Sequence, residues 1–144
     1  HKTASEMLRS LVGSEMCIRD REKMFQRMRA LFALRNIGGN DSVDALAAAF
    51  SSSSALLKHE IAYVMGQMQD SAAVPHFIDR LEDYEEDVMV RHEAAEALGA
   101  IGDKTALSVL ERFKDDKDIV VAESCEVALD LLEWVSSRKL NYSE

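Results

Sequence analysis

A motif that returns after 92 − 59 = 33 residues constrains this chain more than any other feature. The stretch Lys58-His59-Glu60-Ile61-Ala62-Tyr63-Val64-Met65-Gly66-Gln67-Met68 aligns with Arg91-His92-Glu93-Ala94-Ala95-Glu96-Ala97-Leu98-Gly99-Ala100-Ile101. A basic residue, His-Glu, an apolar stretch and Gly recur in register. Beyond the glycine, Asp70, Ala73 and Val74 match Asp103, Ala106 and Leu107. The template also fits Met28 to Arg35, at an offset of 31, and Glu123 to Asp130, at 31 again. Four units result, 21–52, 53–84, 85–115 and 116–135. Self-similarity at such a period is the signature of stacked repeats.

Each unit reads as two helices, the first carrying the motif. Breaks follow at Gly38-Gly39-Asn40-Asp41, Gln69-Asp70-Ser71 and Gly102-Asp103-Lys104, where Asp and Ser make good N-caps for the second helix. Pro75, the single proline, falls in the first turn of such a helix, where a missing N–H costs little. Apolar residues recur three or four apart at Leu31, Leu34, Ala62, Met65, Ala95, Leu98, Ala128 and Leu131. One helix pair cannot bury that stripe; stacked pairs can. The expected fold is therefore an all-α solenoid of about four helical hairpins.

Length and charge narrow the function classes. The 144 residues allow one ordinary domain, and 47% apolar residues suffice for a core. No apolar run approaches the ~20 residues of a membrane-spanning helix. Seventeen Lys and Arg against 26 Asp and Glu leave a net charge of −9, which argues against a nucleic-acid face and suits a cationic partner. Cys17 and Cys125 cannot form a secreted disulfide scaffold, so a reducing cytoplasm is the expected setting. The start at His1 instead of Met reads as a processed product or a fragment. Residues 1–20 lie outside the repeat. Ser10 to Asp20 look like a translated sequencing adapter, so 1–20 read as a non-native or disordered tail; the competing reading is a capping helix through Met7, Leu8, Leu11 and Val12. Residues 136–144 read as a polar C-terminal tail that frays.

The paired His-Glu steps are the candidate chemistry. Corresponding positions on neighbouring stacked helices sit about 8–10 Å apart, so His59 and His92 can lean together and share an ion at ~2.1 Å from each. Glu60 and Glu93, turned ~100° about the axis, can complete the set. Two imidazoles and a carboxylate with open positions suit non-heme iron, and a thiolate site is excluded because Cys125 is the one cysteine in the repeats. The alternative is a pair of solvated surface residues copied with the repeat. Against it, the flanking units carry Met28-Arg29 and Glu123-Ser124 instead of His-Glu. The remaining residues of interest are weaker. His76 is expected to be exposed near a helix start, Cys125 to be a small core residue, and Trp134 to pack the end of the last helix. The acidic run Glu82 to Asp87 reads as a solvated connector, with a cation-steering rim as the sharper reading. There is no phosphate-binding glycine loop and no G-x-S-x-G elbow.

Ser54 to Glu60, Gly66 to Gln69, Met89 to Ile101, Arg29 to Asn36 and Glu123 to Asp130 together resemble deoxyhypusine hydroxylase, over about residues 24–140. The resemblance implies a cytoplasmic HEAT-repeat metalloenzyme. Such an enzyme uses a di-iron Fe(2+) centre and O2 to hydroxylate the deoxyhypusine side chain of the eukaryotic translation initiation factor five-A precursor. It implies His59, His92 and Glu93 as metal ligands and Glu60, Gly66 and Met89 as substrate-binding residues. The family has two such halves facing each other, and this chain corresponds to one, more like the C-terminal half. The missing half, or a homodimer mate, would complete the metal centre. A non-catalytic HEAT-repeat protein-binding scaffold is the alternative. The bilin lyases, a related repeat family, share the solenoid without the doubled His-Glu.

Overall fold

The computed structural model describes the backbone of residues 20–141 and the side chains of residues 24–137. The expectations for residues 1–19, Cys17 among them, lie outside that range. Among the described residues seven α-helices follow one another: α1 Asp20–Ile37, α2 Gly39–Ala48, α3 Ala55–Met68, α4 Val74–Glu82, α5 Val88–Ile101, α6 Leu107–Phe113 and α7 Ile119–Asn141. Short 3₁₀ turns at Ala49–Ser51, Ser71–Ala73 and Lys104–Ala106 join them, and no strand occurs among the described residues. The odd-numbered helices pack side by side in the order α1, α3, α5, α7, while α4 packs on α5 and α6 on α7. This is the all-α solenoid that the 33-residue period predicts.

Local chemistry sets the ends. Ser54 Oγ accepts from Leu57 N at 3.2 Å to cap α3, and Asp87 Oδ1 accepts from Met89 N at 2.9 Å to cap α5. Asp70 and Asp103 each accept from the amide two residues on, at 2.9 Å, and so cap the turns that lead into α4 and α6. The first break differs from expectation. Helix α2 restarts at Gly39 behind Gly38, and Asp41 lies inside its first turn instead of capping it. There its charge faces the positive end of the helix dipole. The fourth unit also departs from the two-helix plan. Residues 119–141 contain no Gly or Pro, and α7 runs on as a single 23-residue helix through Val135 into the polar residues beyond.

Leu31, Leu34, Ala62, Met65, Ala95, Leu98 and Ala128 are all buried. At the end of α7 the inward residue is Leu132, not Leu131, because Val121, Cys125, Ala128 and Leu132 keep the helical spacing. Cys125 is fully buried, and desolvation, with Asp116 adding to it, pushes its thiol up to about 12. It is a core residue and no nucleophile at neutral pH. Trp134, by contrast, is half exposed.

The basic residue that opens each motif ties its helix to the next connector. Lys58 pairs with Glu86, which also accepts from Arg80 at 3.1 Å and from the Asp87 amide at 2.8 Å. Arg91, fully buried, holds Asp116 at 2.6 Å and Asp118 at 3.5 Å, donates to the Leu81 carbonyl at 3.1 Å, and lies 5.0 Å from the Tyr84 ring. The acidic run 82–87 is thus not simply solvated, since Glu86 is a buried ion-pair partner.

Two small-residue contacts set the spacing of the odd-numbered helices. A Cβ on Gly66 would lie 3.0 Å from Ala97 Cβ, and one on Gly99 would lie 2.8 Å from Ala128 Cα. The Gly99 contact is with backbone, which cannot rotate away. Gly99→Ala should therefore lose stability despite the ~1 kcal/mol helix propensity that alanine adds, because overpacking costs about 1–3 kcal/mol. Urea denaturation checks this: a lower midpoint is expected, and an unchanged or higher one contradicts it.

Candidate metal centre

The close approach of α3, α5 and α7 brings each motif histidine against the following helix. His59 Nε2 lies 3.3 Å from Glu93 Oε2, and His92 Nε2 lies 3.9 Å from the same oxygen. Two imidazoles thus turn their Nε2 atoms to one carboxylate oxygen. An ion bound ~2.1 Å from each of two donors separates them by about 3.0–4.0 Å at ordinary coordination angles, so both distances suit a shared ion. His59 Nδ1 faces Glu60 Oε1 at 3.4 Å, and His92 Nδ1 faces Ser124 Oγ at 2.7 Å and Glu96 Oε1 at 3.6 Å. His92, Glu93 and Glu96 each have a ligand atom within 4.8 Å of the other two. The donor set is nitrogen and oxygen only, the kind that suits oxygen-activating non-heme iron.

The repeat explains the placement. In each unit the histidine position reaches the residue after the histidine position of the next unit: His59 meets Glu93, and His92 meets Ser124. That flanking position reads Arg29, Glu60, Glu93 and Ser124 along the stack. Glu93 is nearly enclosed, and burial pushes its carboxyl above the ordinary 4.5; His59 and His92 pull it down, while Glu96 and Glu60 push it up. A bound cation would reverse that penalty.

The sequence-predicted residues separate into groups. His59, His92 and Glu93 converge, and Glu60 adjoins His59. Met89 is exposed, one turn before His92 on the same face. Gly66 is buried two turns beyond His59, against Ala97. His76 is half-buried on α4. Two residues of the site were not anticipated, Glu96 and Ser124. Helical arithmetic could have found Glu96, which follows His92 by four residues, and the repeat alignment could have found Ser124.

Exposed apolar rows flank the histidines. Three residues before the histidine position stand Phe25, Leu56, Met89 and Val120; four residues after it stand Phe32, Tyr63, Glu96 and Val127. Every apolar member is exposed. Spacings of three, four and seven share one helix face, so the candidate site sits within an apolar surface that solvent alone covers poorly.

A model of HEAT repeats matches residues 48–130, and one of PBS lyase HEAT-like repeats matches residues 26–52. The chain is 50% identical over 121 residues to a deoxyhypusine hydroxylase of Danio rerio, covering 84% of this chain and 40% of that protein. It is 51% identical over 109 residues to the one of Homo sapiens, covering 76% and 36%. The structure of human deoxyhypusine hydroxylase in complex with glycerol superposes with a TM-score of 0.87 at 43% identity, covering 94% of this chain and 45% of that one. The chain therefore spans about two fifths of the length of the curated relatives it matches.

The buried Glu93 carboxylate is held at the expense of metal-free stability. Its raised value means the folded state favours the protonated form, so stability falls as pH rises above 4.5 through the folded value. The neutral isostere in Glu93→Gln should raise the thermal midpoint of the metal-free chain at about pH 7, with the gain shrinking toward pH 4, where both states are protonated. Calorimetry across that range checks it; a lower midpoint at neutral pH would contradict the assignment.

Proposed function

The chain belongs to the HEAT-repeat family, and we propose on that premise that it is one half of a deoxyhypusine monooxygenase. The observation that carries this reading is the single Glu93 oxygen faced by the Nε2 atoms of His59 and His92. The about 50% identity to deoxyhypusine hydroxylases over most of the chain supports it. The reaction is the iron- and O2-dependent hydroxylation of the deoxyhypusine side chain on the precursor of translation initiation factor five-A, in the cytoplasm.

His59, His92 and Glu93 hold Fe(2+) in this reading. The metal, when bound, supplies the oxygen-activating chemistry that no side chain here can perform. Glu60 and Glu96 give the cationic amine of the substrate a negative surround, and a net charge of −9 favours such a partner over a nucleic acid. No helix among the described residues is long and apolar enough to cross a membrane. Met89 contributes apolar contact to the aliphatic part of the substrate. Gly66 serves by its size, letting α3 and α5 approach until His59 reaches Glu93.

The site is half of a centre. Two six-coordinate ions want about twelve donor positions, and this face offers too few. The exposed rows Phe25-Leu56-Met89-Val120 and Phe32-Tyr63-Val127 are the surface on which the other half of the enzyme, or a homodimer mate, completes the di-iron shell. The same rows are what a non-catalytic protein-binding scaffold would use, and metal binding separates the two readings.

The purified chain should bind ferrous iron weakly under anaerobic conditions, and His59→Ala or His92→Ala should abolish that binding. Elemental analysis after desalting decides it. Equal iron in the wild type and both variants would overturn the metal reading; no iron in any of the three would leave the scaffold.

A further inference from the structure

We infer that Ser124 is the positioning residue for His92: its hydroxyl holds the imidazole as the Nδ1–H tautomer and so leaves the Nε2 lone pair free on the side of Glu93. The metal consequence rests on the reading above; the tautomer itself does not.

Ser124 is buried on α7, and its Oγ has two close partners. It lies 2.7 Å from the Val120 carbonyl oxygen, one helical turn earlier, and 2.7 Å from His92 Nδ1. A hydroxyl carries one hydrogen. The carbonyl has none to give, and two oxygens at 2.7 Å need a proton between them, so the Ser124 hydrogen points at Val120. Its oxygen is left as an acceptor, and His92 Nδ1 must supply the hydrogen. Glu96 Oε1, 3.6 Å from the same nitrogen, also favours a proton there. In a neutral imidazole Nε2 is then unprotonated, and this is the nitrogen 3.9 Å from Glu93 Oε2. A partner on the far nitrogen that fixes the ring and its tautomer is what a metal-binding histidine ordinarily needs.

The two histidines of the site are set by different means. The counterpart of Ser124 in the preceding unit is Glu93, which faces His59 Nε2, while His59 Nδ1 has Glu60 beside it. Arrangement of His92 therefore depends on the fourth unit, and its replacement of Glu by Ser is part of the site instead of a decayed copy.

Nitrogen-15 NMR of the metal-free 144-residue chain at about pH 8, where imidazole is neutral, reads the tautomer directly. His92 should show a protonated Nδ1 and a bare Nε2. Ser124→Ala should weaken that preference measurably, with only the more distant Glu96 left beside Nδ1, and Ser124→Thr, which keeps the hydroxyl, should retain it. A ferrous titration of the same proteins should show affinity falling about 10–100-fold in Ser124→Ala and returning in Ser124→Thr. A protonated Nε2 on wild-type His92, or an unchanged tautomer in Ser124→Ala, would overturn the inference. The expected tautomers with no iron bound by any of the proteins would uphold the role of Ser124 in orienting His92 and overturn the metal reading. The wild-type spectrum is decisive even if a variant fails to fold.

Discussion

The contact of Gly66 with Ala97, and of Gly99 with Ala128, governs the rest of the molecule. Where a side chain on either glycine would meet its neighbour at 3.0 Å or less, the helices stand as close as backbones allow. His59 and His92 each precede their glycine by two helical turns on the same face. The spacing that the glycines impose is therefore the spacing across which His59 reaches Glu93 and His92 reaches Ser124. A wider stack would bury the same apolar stripe less well and take Glu93 from His59 and Ser124 from His92.

The motif combines a structural and a chemical part in adjacent residues. Lys58 and Arg91 turn away from the site and bind the acidic connectors at Glu86 and Asp116. For Asp116, burial alone would raise the carboxyl, but the Arg91 hydrogen bonds and charge, with the Asp118 amide, hold it below its ordinary value. These pairs lock the stagger between successive units. The next residues, His and Glu, face one another across neighbouring helices instead, His59 against Glu93 and His92 against Glu93 and Ser124. That division lets a rigid stack carry a carboxylate, Glu93, whose burial pushes its value up while His59 and His92 pull it down.

Much of this was legible in the chain. The 33-residue period predicts the stack, and the stripe from Leu31 to Ala128 predicts its core, because both are averages over many residues. The convergence of His59, His92 and Glu93 follows from equal places in successive units. Single-residue environments were harder. Glu86 reads as one more member of an acidic run until Lys58 and Arg80 are seen beside it. Leu131 and Leu132 differ by one residue, about 100° of helix, which a pattern of threes and fours does not resolve. That residues 119–141 form one helix and not two came from an absence, no breaker between them, and Ser124 looks like a substitution until its hydroxyl is found between Val120 and His92.

The central claim is that one face of this chain presents an ordered half-shell of donors for iron. Crystals of the chain grown anaerobically with ferrous iron, with diffraction recorded at the iron absorption edge, test it most directly. The account predicts an anomalous peak about 2.0–2.2 Å from a Glu93 carboxylate oxygen and from Nε2 of His59, His92 or both. A peak on the Nδ1 side of His92 beside Glu96, or no peak on this face, would contradict it.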